Sequence, residues 1–499
     1  MSLLAINRSR PAFTPAAGRW WFGALLACGL CGCALMHEHS KPIAQIQPEQ
    51  IHLADDIHLA RQGWPSARWW TGYDDPQLDA FIDLALTDAP TMAIARGRVD
   101  QARAQVELVK SGTRLQAAAL AALNRERVSA DGFLGPYAFV SPLLGTTGPW
   151  YTEGITGVGA SYQFDIWGKQ RDQINASIGV QNARLAEQAA VELEVSTDVA
   201  QLYYGIQTSL QTVDLLGQAH EIVAATVEAH AARAARGLEP ETYTQQARAQ
   251  QLAIEGQLTE AQSLIRQLRE ALRALIGAHA DKLSTIAQVP LPVSQASLPA
   301  TLSYELLARR PDLQAMRWYV QASTAQIEAA KAAFYPNFDM KAFFGFAALH
   351  MSDLFRHDSL VVDIIPGVSL PIFDGGRLNA NLKSATAASS TVIAEYNQAI
   401  LDAVRDVAVA GTRLEGLDQE ELLQTQKVHA VTFLQDSAEA YYQRGLKSKT
   451  TALEARLPVI TEQIALVGIR GQQVSQEIAL VKALGGGFHA DQLAATSPR

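Results

Sequence analysis

At 499 residues the chain exceeds one ordinary core, since domains usually hold roughly 100–200 residues. Hydrophobic residues make up 48% and charged residues only 18%, which excludes an extended disordered chain, and a net charge of −9 argues against a surface that tracks nucleic-acid phosphates. Beyond residue 32 no uncharged apolar run approaches the roughly 18 residues of a spanning helix, which excludes a polytopic helical membrane protein.

Residues 1–32 read as a lipoprotein signal peptide, in which Arg8, Arg10 and Arg19, with no acid, accompany the apolar run from Trp20 to Ala27. The segment ends at Leu30-Cys31-Gly32-Cys33-Ala34, which resembles a bacterial lipobox. Small residues there suit a narrow peptidase cleft, and Cys33 would carry diacylglycerol and an N-acyl chain. Leu25-Leu26-Ala27-Cys28 is an alternative of the same kind, while an uncleaved inner-membrane anchor would need a longer apolar run. Ala34, in place of Asp, permits sorting to the outer membrane of a Gram-negative cell. Cleavage before Cys33 would discard Cys28 and Cys31, leave no thiol for a disulfide, and take the formal charge from −9 to −12.

After an extended segment over 33–75, alternation begins. Thr156, Val158, Ala160, Tyr162 and Phe164 alternate with Gly157, Gly159, Ser161, Gln163 and Asp165, the period of a strand with one apolar face. Phe338, Met340, Ala342, Phe344 and Phe346 form a second such face, and Val362, Ile364, Val368, Leu370 and Ile372 a third. A fourth strand near Leu115 to Arg125 is expected from repeat symmetry, because that stretch is Ala-rich and alternates poorly. The remainder is helical. Leu258, Ala261, Ile265, Leu268, Leu272 and Leu275 recur at steps of three and four, as do Leu457, Ile460, Ile464, Val467, Gly471, Val474, Ile478 and Val481, a seam for coiled-coil packing.

The chain repeats itself. Arg236-Gly237-Leu238, Thr242 and Ala247-Arg248 recur as Arg444-Gly445-Leu446, Thr450 and Ala455-Arg456 at a constant offset of 208, and the motif at Phe164-Asp165 returns at Phe373-Asp374 with an offset of 209. The first repeat is expected over 76–281, with strands about 113–165 and long helices about 168–280. A linker follows over 282–300. The second repeat covers 301–487, with strands about 336–373 and long helices about 376–484, before a tail over 488–499. Four strands cannot close a membrane barrel, which needs at least about 8, and open edges are not tolerated in lipid. Any barrel must therefore be shared between chains, as a dimer or a trimer.

Four segments carry a family resemblance: Leu306-Leu307-Ala308-Arg309-Arg310-Pro311-Asp312-Leu313, Ala329-Ala330-Lys331-Ala332-Ala333-Phe334-Tyr335-Pro336, Leu370-Pro371-Ile372-Phe373-Asp374-Gly375-Gly376-Arg377 and Ala483-Leu484-Gly485-Gly486-Gly487. They resemble the signature segments of the outer membrane efflux (TolC/NodT-type) lipoproteins. That resemblance implies a mainly α chain with a transmembrane β part, assembled as a homotrimer whose 12-stranded β-barrel continues into a periplasmic α-helical barrel. It implies a passive exit duct for small toxic compounds, joined to an inner-membrane efflux pump by a periplasmic adaptor and embedded in outer-membrane lipid. A duct for secreted polypeptide and a lipidated periplasmic scaffold are the competing functions, and the alternating strands argue against the scaffold.

The resemblance also implies roles for particular residues. Arg236, Gly237, Leu238, Arg444, Gly445 and Leu446 read as helix-hairpin turns, since Gly suits a left-handed helix stop, and the family places its adaptor-docking tips there. Glu454 and Arg456 match the charged positions near which the family closes its periplasmic gate, with Gln246 and Arg248 at the equivalent places in the first repeat. Glu stands where Asp is commoner and Arg456 comes one residue early, while Pro458 should kink the helix. Asp165, Gly168, Asp374, Gly375 and Gly376 read as strand-to-helix junctions, with Asp as cap and Trp167 near a membrane interface. His37, His39, His52 and His58 lack ligand spacing, so no metal site is expected, and no enzyme motif or cofactor loop is found.

Overall fold

The computed structural model describes residues 36, 41–46, 64–127, 129, 150–277, 285–293 and 309–489. Cys28, Cys31, Cys33, the histidines His37, His39, His52 and His58, the ends of the 282–300 linker and the tail beyond 489 lie outside the described residues.

In chain order the elements are α1 (Pro76–Asp88), α2 (Pro90–Gly112), β1 (Gln116–Arg127), β2 (Trp150–Phe164), α3 (Lys169–Ala235), α4 (Thr242–Ile276), α5 (Pro311–Ala332), β3 (Asn337–Ala348), β4 (Leu360–Ser369), α6 (Arg377–Gln443), α7 (Lys449–Glu454) and α8 (Leu457–Ala483). The repeat is plain in the two longest helices: α3 and α6 each run 67 residues, which at 1.5 Å per residue is about 100 Å of helix. No helix among the described residues is long and apolar enough to cross a membrane.

Two compact units emerge. The first comprises Ala104–Gly179 and Gln321–Thr391, with the described residues up to Ile43. Its four strands form one antiparallel sheet in the order β1-β2-β3-β4. Register puts Val158, Phe344 and Val362 side by side, and likewise Ala160, Ala342 and Ile364, and Phe164, Phe338 and Val368, so one face is mainly apolar, with Thr156, Thr152 and Arg125 towards one end. The other face carries Ser161, Lys341 and Ile365 in one row, Gln163, Asp339 and Gly367 in the next, and Gly159, Phe343 and Asp363 in a third. Gly157 pairs with Gly345, and the Phe343 ring lies over both, where a Cβ on Gly157 would come within 2.8 Å of it. β1 forms in spite of its weak alternation because every residue from Gln116 to Arg127 finds a partner on β2. The third apolar face is shorter than its pattern suggests: β4 ends at Ser369, and Leu370 and Ile372 lie beyond it. Pro371 accounts for this, since it has no N–H to give a ladder and restricts the residue before it.

The second unit comprises Ala44–Arg103, Val180–Val320 and Val392–Arg499. Its largest core gathers Leu78, Phe81 and Ile82 of α1, Val195, Val199 and Tyr203 of α3, Leu272 and Ile276 of α4, and Val474 and Ile478 of α8. A smaller cluster joins Leu216 and Val223 of α3 to Ile254 of α4 and Ile460 of α8. Both seams read from the sequence therefore pack against α3, and Gly471 is required because it lies against Thr208, whose Cγ2 would be 2.7 Å from an added Cβ. Asp75 caps α1 by accepting from the N–H groups of Gln77 (3.0 Å) and Leu78 (3.3 Å), and the Tyr203 hydroxyl donates to its other oxygen at 2.7 Å. Gly485, Gly486 and Gly487 all have positive φ, at 90°, 58° and 78°, and the carbonyls of Arg309 and Ser66 approach Gly485 and Gly487 too closely for any side chain.

Candidate functional site

Two helix-hairpin turns and the segment after the second form the candidate site. At the first turn Gly237 adopts φ 67° and its N–H donates to the Ala234 carbonyl at 2.9 Å, while the Leu238 N–H reaches back to Arg233 at 3.0 Å. The second turn repeats this pattern. Gly445 has φ 71°, its N–H donates to Tyr442 at 2.9 Å, and the Leu446 N–H donates to Tyr441 at 2.9 Å. This pairing is the Schellman stop, which satisfies carbonyls that a helix end would otherwise leave orphaned. Among the described residues, nothing beyond the adjoining residues lies within 4 Å of where a Cβ on either glycine would be, so conformation alone demands Gly there. Leu238 and Leu446 stand 62% and 67% exposed, with Arg236 and Arg444 exposed beside them.

Beyond the turns the two repeats diverge. In the first, α4 continues unbroken past Gln246 and Arg248, both exposed. In the second, Ser448 caps α7 by accepting from the Thr451 N–H at 3.2 Å, but α7 ends after six residues at Glu454 and α8 begins at Leu457. Pro458 is the cause: with no N–H it leaves the Glu454 carbonyl without its helical donor and crowds that turn. At Pro458, where a kink is expected, the helical hydrogen bonds are interrupted at Ala455 and Arg456, whose backbone stays in the helical region.

Glu454 and Arg456 do not meet within the chain, because residues two apart on a helix point in different directions. Glu454 Oε1 lies 3.2 Å from His230 Nε2 of α3, and Arg456 donates to Glu439 of α6 at 3.3 Å. His230 is the centre of a cluster that sequence reasoning missed. Its Nδ1 lies 2.6 Å from Glu239 Oε1, Arg233 donates to the other Glu239 oxygen at 2.9 Å, and the Tyr243 ring stacks on the imidazole at 5.9 Å and 15°. The imidazole is buried, with 8% of its side chain exposed, and it ties the first turn to α7 of the second hairpin. Desolvation pushes the Glu239 carboxyl up, but hydrogen bonds from His230 and Arg233, with their charges, outweigh it and hold it below the ordinary glutamate value.

The strand-to-helix junctions form a third matched pair. Asp165 accepts from the N–H groups of Gln170 (3.1 Å) and Arg171 (2.8 Å), capping α3, and Gly168 turns at φ 77°. Asp374 accepts from Leu378 (2.8 Å) and Gly376 (2.9 Å), capping α6, with Gly375 and Gly376 at φ 65° and 87°. The Leu378 and Gly376 amides hold the Asp374 carboxyl below its usual range. Trp167 donates to the Pro336 carbonyl at 2.8 Å and stacks on Tyr335 at 4.8 Å. Among the described residues no group of three His, Cys, Asp or Glu side chains is placed to hold a metal.

Comparison with known proteins agrees with this architecture. The chain matches the family described as Outer membrane efflux protein over residues 81–278 and 302–486. It is 52% identical over 461 residues to the multidrug resistance outer membrane protein MdtP of Escherichia coli K12, covering 92% of this chain and 94% of that protein. It is 37% identical over 488 residues to MdtQ of Escherichia coli O157:H7, covering 96% and 99%. Among solved structures, the Vibrio cholerae outer membrane protein VceC aligns with a TM-score of 0.75 at 30% identity, covering 85% of this chain and all, 100%, of that one. The Campylobacter jejuni CmeC outer membrane channel shares the fold with a TM-score of 0.80 at 21% identity, covering 90% and 95%. By matched length, by identity and by fold, the chain belongs to the outer membrane efflux protein family, a family of transport ducts and not of enzymes.

Proposed function

We propose that the chain is the outer-membrane exit duct of a tripartite efflux pump, passing drugs or other small toxic compounds from the periplasm to the exterior. The observation that carries this reading is the sheet: four strands, mainly apolar on one face and with Ser161, Gln163, Lys341, Asp339 and Asp363 on the other, where β1 and β4 are each paired on one side only among the described residues. An open edge has no place in lipid, and three copies close such a sheet into a 12-stranded barrel with the apolar face outward and Ser161, Gln163, Lys341 and Asp363 lining a wet lumen. The names of MdtP and MdtQ support drugs as cargo. A periplasmic adaptor docks on the turns at Gly237 and Gly445 and an inner-membrane pump supplies the energy.

Cys33 anchors the chain through its lipid. Met36, three residues on, packs against Ile327 and Ala330 of α5 and Leu382 of α6, beside Phe334, which lies three residues before β3. Closure of the duct resides in the segment around Glu454 and Arg456, each exposed enough to face another copy and each beside a helix break. Three such sets around one axis hold the constriction by weak pairs, of about 0.2–1 kcal/mol each.

Single-channel recording of the purified protein in planar bilayers tests the duct. Discrete conductance steps are expected, and a protein that inserts as a trimer without conducting would be a scaffold. Orientation of the sheet is checked separately. Val158→Arg, on the apolar face, should cost about 2–4 kcal/mol in folding into bilayers, and Ser161→Arg on the polar face far less.

A further inference from the structure

We infer that the two turns are chemically different docking sites, and that the second is a basic, apolar-centred surface which takes the carboxylate-bearing end of a periplasmic adaptor hairpin. This rests on the reading of the turns as adaptor-docking tips. The offset of 208 that aligns the repeats sets Lys447 against Glu239 and Lys449 against Glu241. Both lysines and Arg444 are exposed, and among the described residues none of the three is in an ion pair. Lys447 Nζ instead sits over the Tyr441 ring at 5.6 Å, which holds the cation in place without cancelling it.

Neighbouring acids do not neutralise this patch. Glu439 is engaged by Arg456, and Glu454 by His230. Asp436 is exposed two turns earlier on α6. At the first turn the charges balance: Glu239 is engaged by His230 and Arg233, Glu241 accepts from Gln245 at 3.1 Å, and Arg236 is the exposed cation beside Gly237. A chain of net charge −9 thus concentrates three cations without an ion-pair partner among the described residues around one rigid turn. Leu446, 67% exposed, lies between Arg444 and Lys447, so the surface has an apolar centre and a charged rim, which is the anatomy of a protein interface more than of a phosphate-tracking groove. Its backbone is fixed by the Schellman bonds, so docking there costs little ordering. Rim charges of this kind set the rate and salt dependence of encounter and select a partner of opposite sign.

The test uses the full-length trimer with Leu446→Cys, or separately Leu238→Cys, carrying a photo-activatable maleimide, and the purified periplasmic adaptors of the same cell, each assayed alone. Arg444→Gln, Lys447→Gln and Lys449→Gln together should slow capture by the Leu446→Cys probe about tenfold at low salt. Raising salt from about 0.1 M to about 1 M, which shortens screening from about 10 Å to about 3 Å, should slow capture by the otherwise unchanged trimer and leave the triple variant nearly unmoved. Arg444→Lys should behave as wild type, and Arg236→Gln should leave the salt response intact. Charge reversal to Glu at the three positions should abolish efflux, with suppressors arising as acid-to-Lys changes in the adaptor. Equal capture with and without the triple substitution at both salts overturns the basic site while leaving docking at the turns standing. No capture of any adaptor at either position, with efflux intact, overturns the docking reading itself.

Discussion

The two hairpins of this chain begin alike and end differently. Both turn through a glycine in the left-handed region with the same two backbone bonds, at Gly237 and at Gly445. After the first, α4 runs 35 residues without interruption; after the second, α7 lasts six and the helix restarts at Leu457. The residue at Pro458 in the second repeat corresponds, at an offset of 208, to Gln250 within α4. One proline therefore separates a continuous ladder of helical hydrogen bonds from one interrupted at Ala455 and Arg456, whose backbone stays in the helical region. The interruption is where the charged residues of the proposed gate sit, and the unbroken hairpin supplies the buried His230 against which one of them rests. Duplication gives the duct its symmetry, and the departures from it are the places to look for movement.

The largest expected effect strikes what the hairpins share. Gly237→Val and Gly445→Val each force a β-branched residue into a positive φ, at a cost of about 1–3 kcal/mol, and hydrogen exchange of the Leu238 or Leu446 amide should quicken by about 5- to 150-fold. Because, among the described residues, nothing beyond the adjoining residues lies within 4 Å of a Cβ on either glycine, the two costs should match; a large inequality would show that the turns are not equivalent in conformation. Gly445→Val should also abolish efflux while the trimer still assembles in the outer membrane.

Pro458→Ala addresses the difference directly. It returns an N–H to the Glu454 carbonyl, a bond worth about 0.5–1.5 kcal/mol, so α7 and α8 should fuse and exchange at 456–460 should slow. Gln250→Pro in α4 should do the reverse and cost about 3 kcal/mol or more. If Pro458→Ala leaves exchange unchanged, something other than the proline breaks the helix.

The smallest effect is expected at the first turn under acid. Since the folded-state pKa of Glu239 is depressed, its contribution is fully present above the ordinary glutamate value and is lost as pH falls through the lower folded value. The groups facing it are His230 and Arg233, with Tyr243 and Glu454 in contact with His230. Exchange at the Leu238 amide should therefore rise in that acidic window in the wild type, and Glu239→Gln should flatten the response.

Much of this contrast between the hairpins was legible in the sequence because it rests on repeats and periodicity. The offset of 208 marks both turns, and steps of three and four mark α4 and α8, where Ile265, Leu272, Val474 and Ile478 share one core. The weakly alternating β1 needed the repeat to find it, because Ala favours a helix and is depleted in strands, and it is pairing with β2 that decides. The excess length given to β4 came from following apolar residues past Leu370, when Pro371 was the stronger signal. His230 carried no local signal. It stands among alanines on α3, its partners lie 9 and 224 residues away, and only folding brings Glu239 and Glu454 to it. The same limit applies to Glu454 and Arg456, which the family resemblance singled out but whose partners on α3 and α6 no spacing could name.

Closure of the duct at the interrupted hairpin, and not at the continuous one, is tested most directly by single-channel conductance in planar bilayers. The measurement compares Glu454→Ala with Arg456→Ala against the matching pair, Gln246→Ala with Arg248→Ala. A higher conductance is expected for the first pair, partly reproduced in the wild type by high salt, and wild-type behaviour for the second, with both trimers intact. Equal conductance of the two double variants and the wild type, at low and high salt alike, would contradict closure at this interruption.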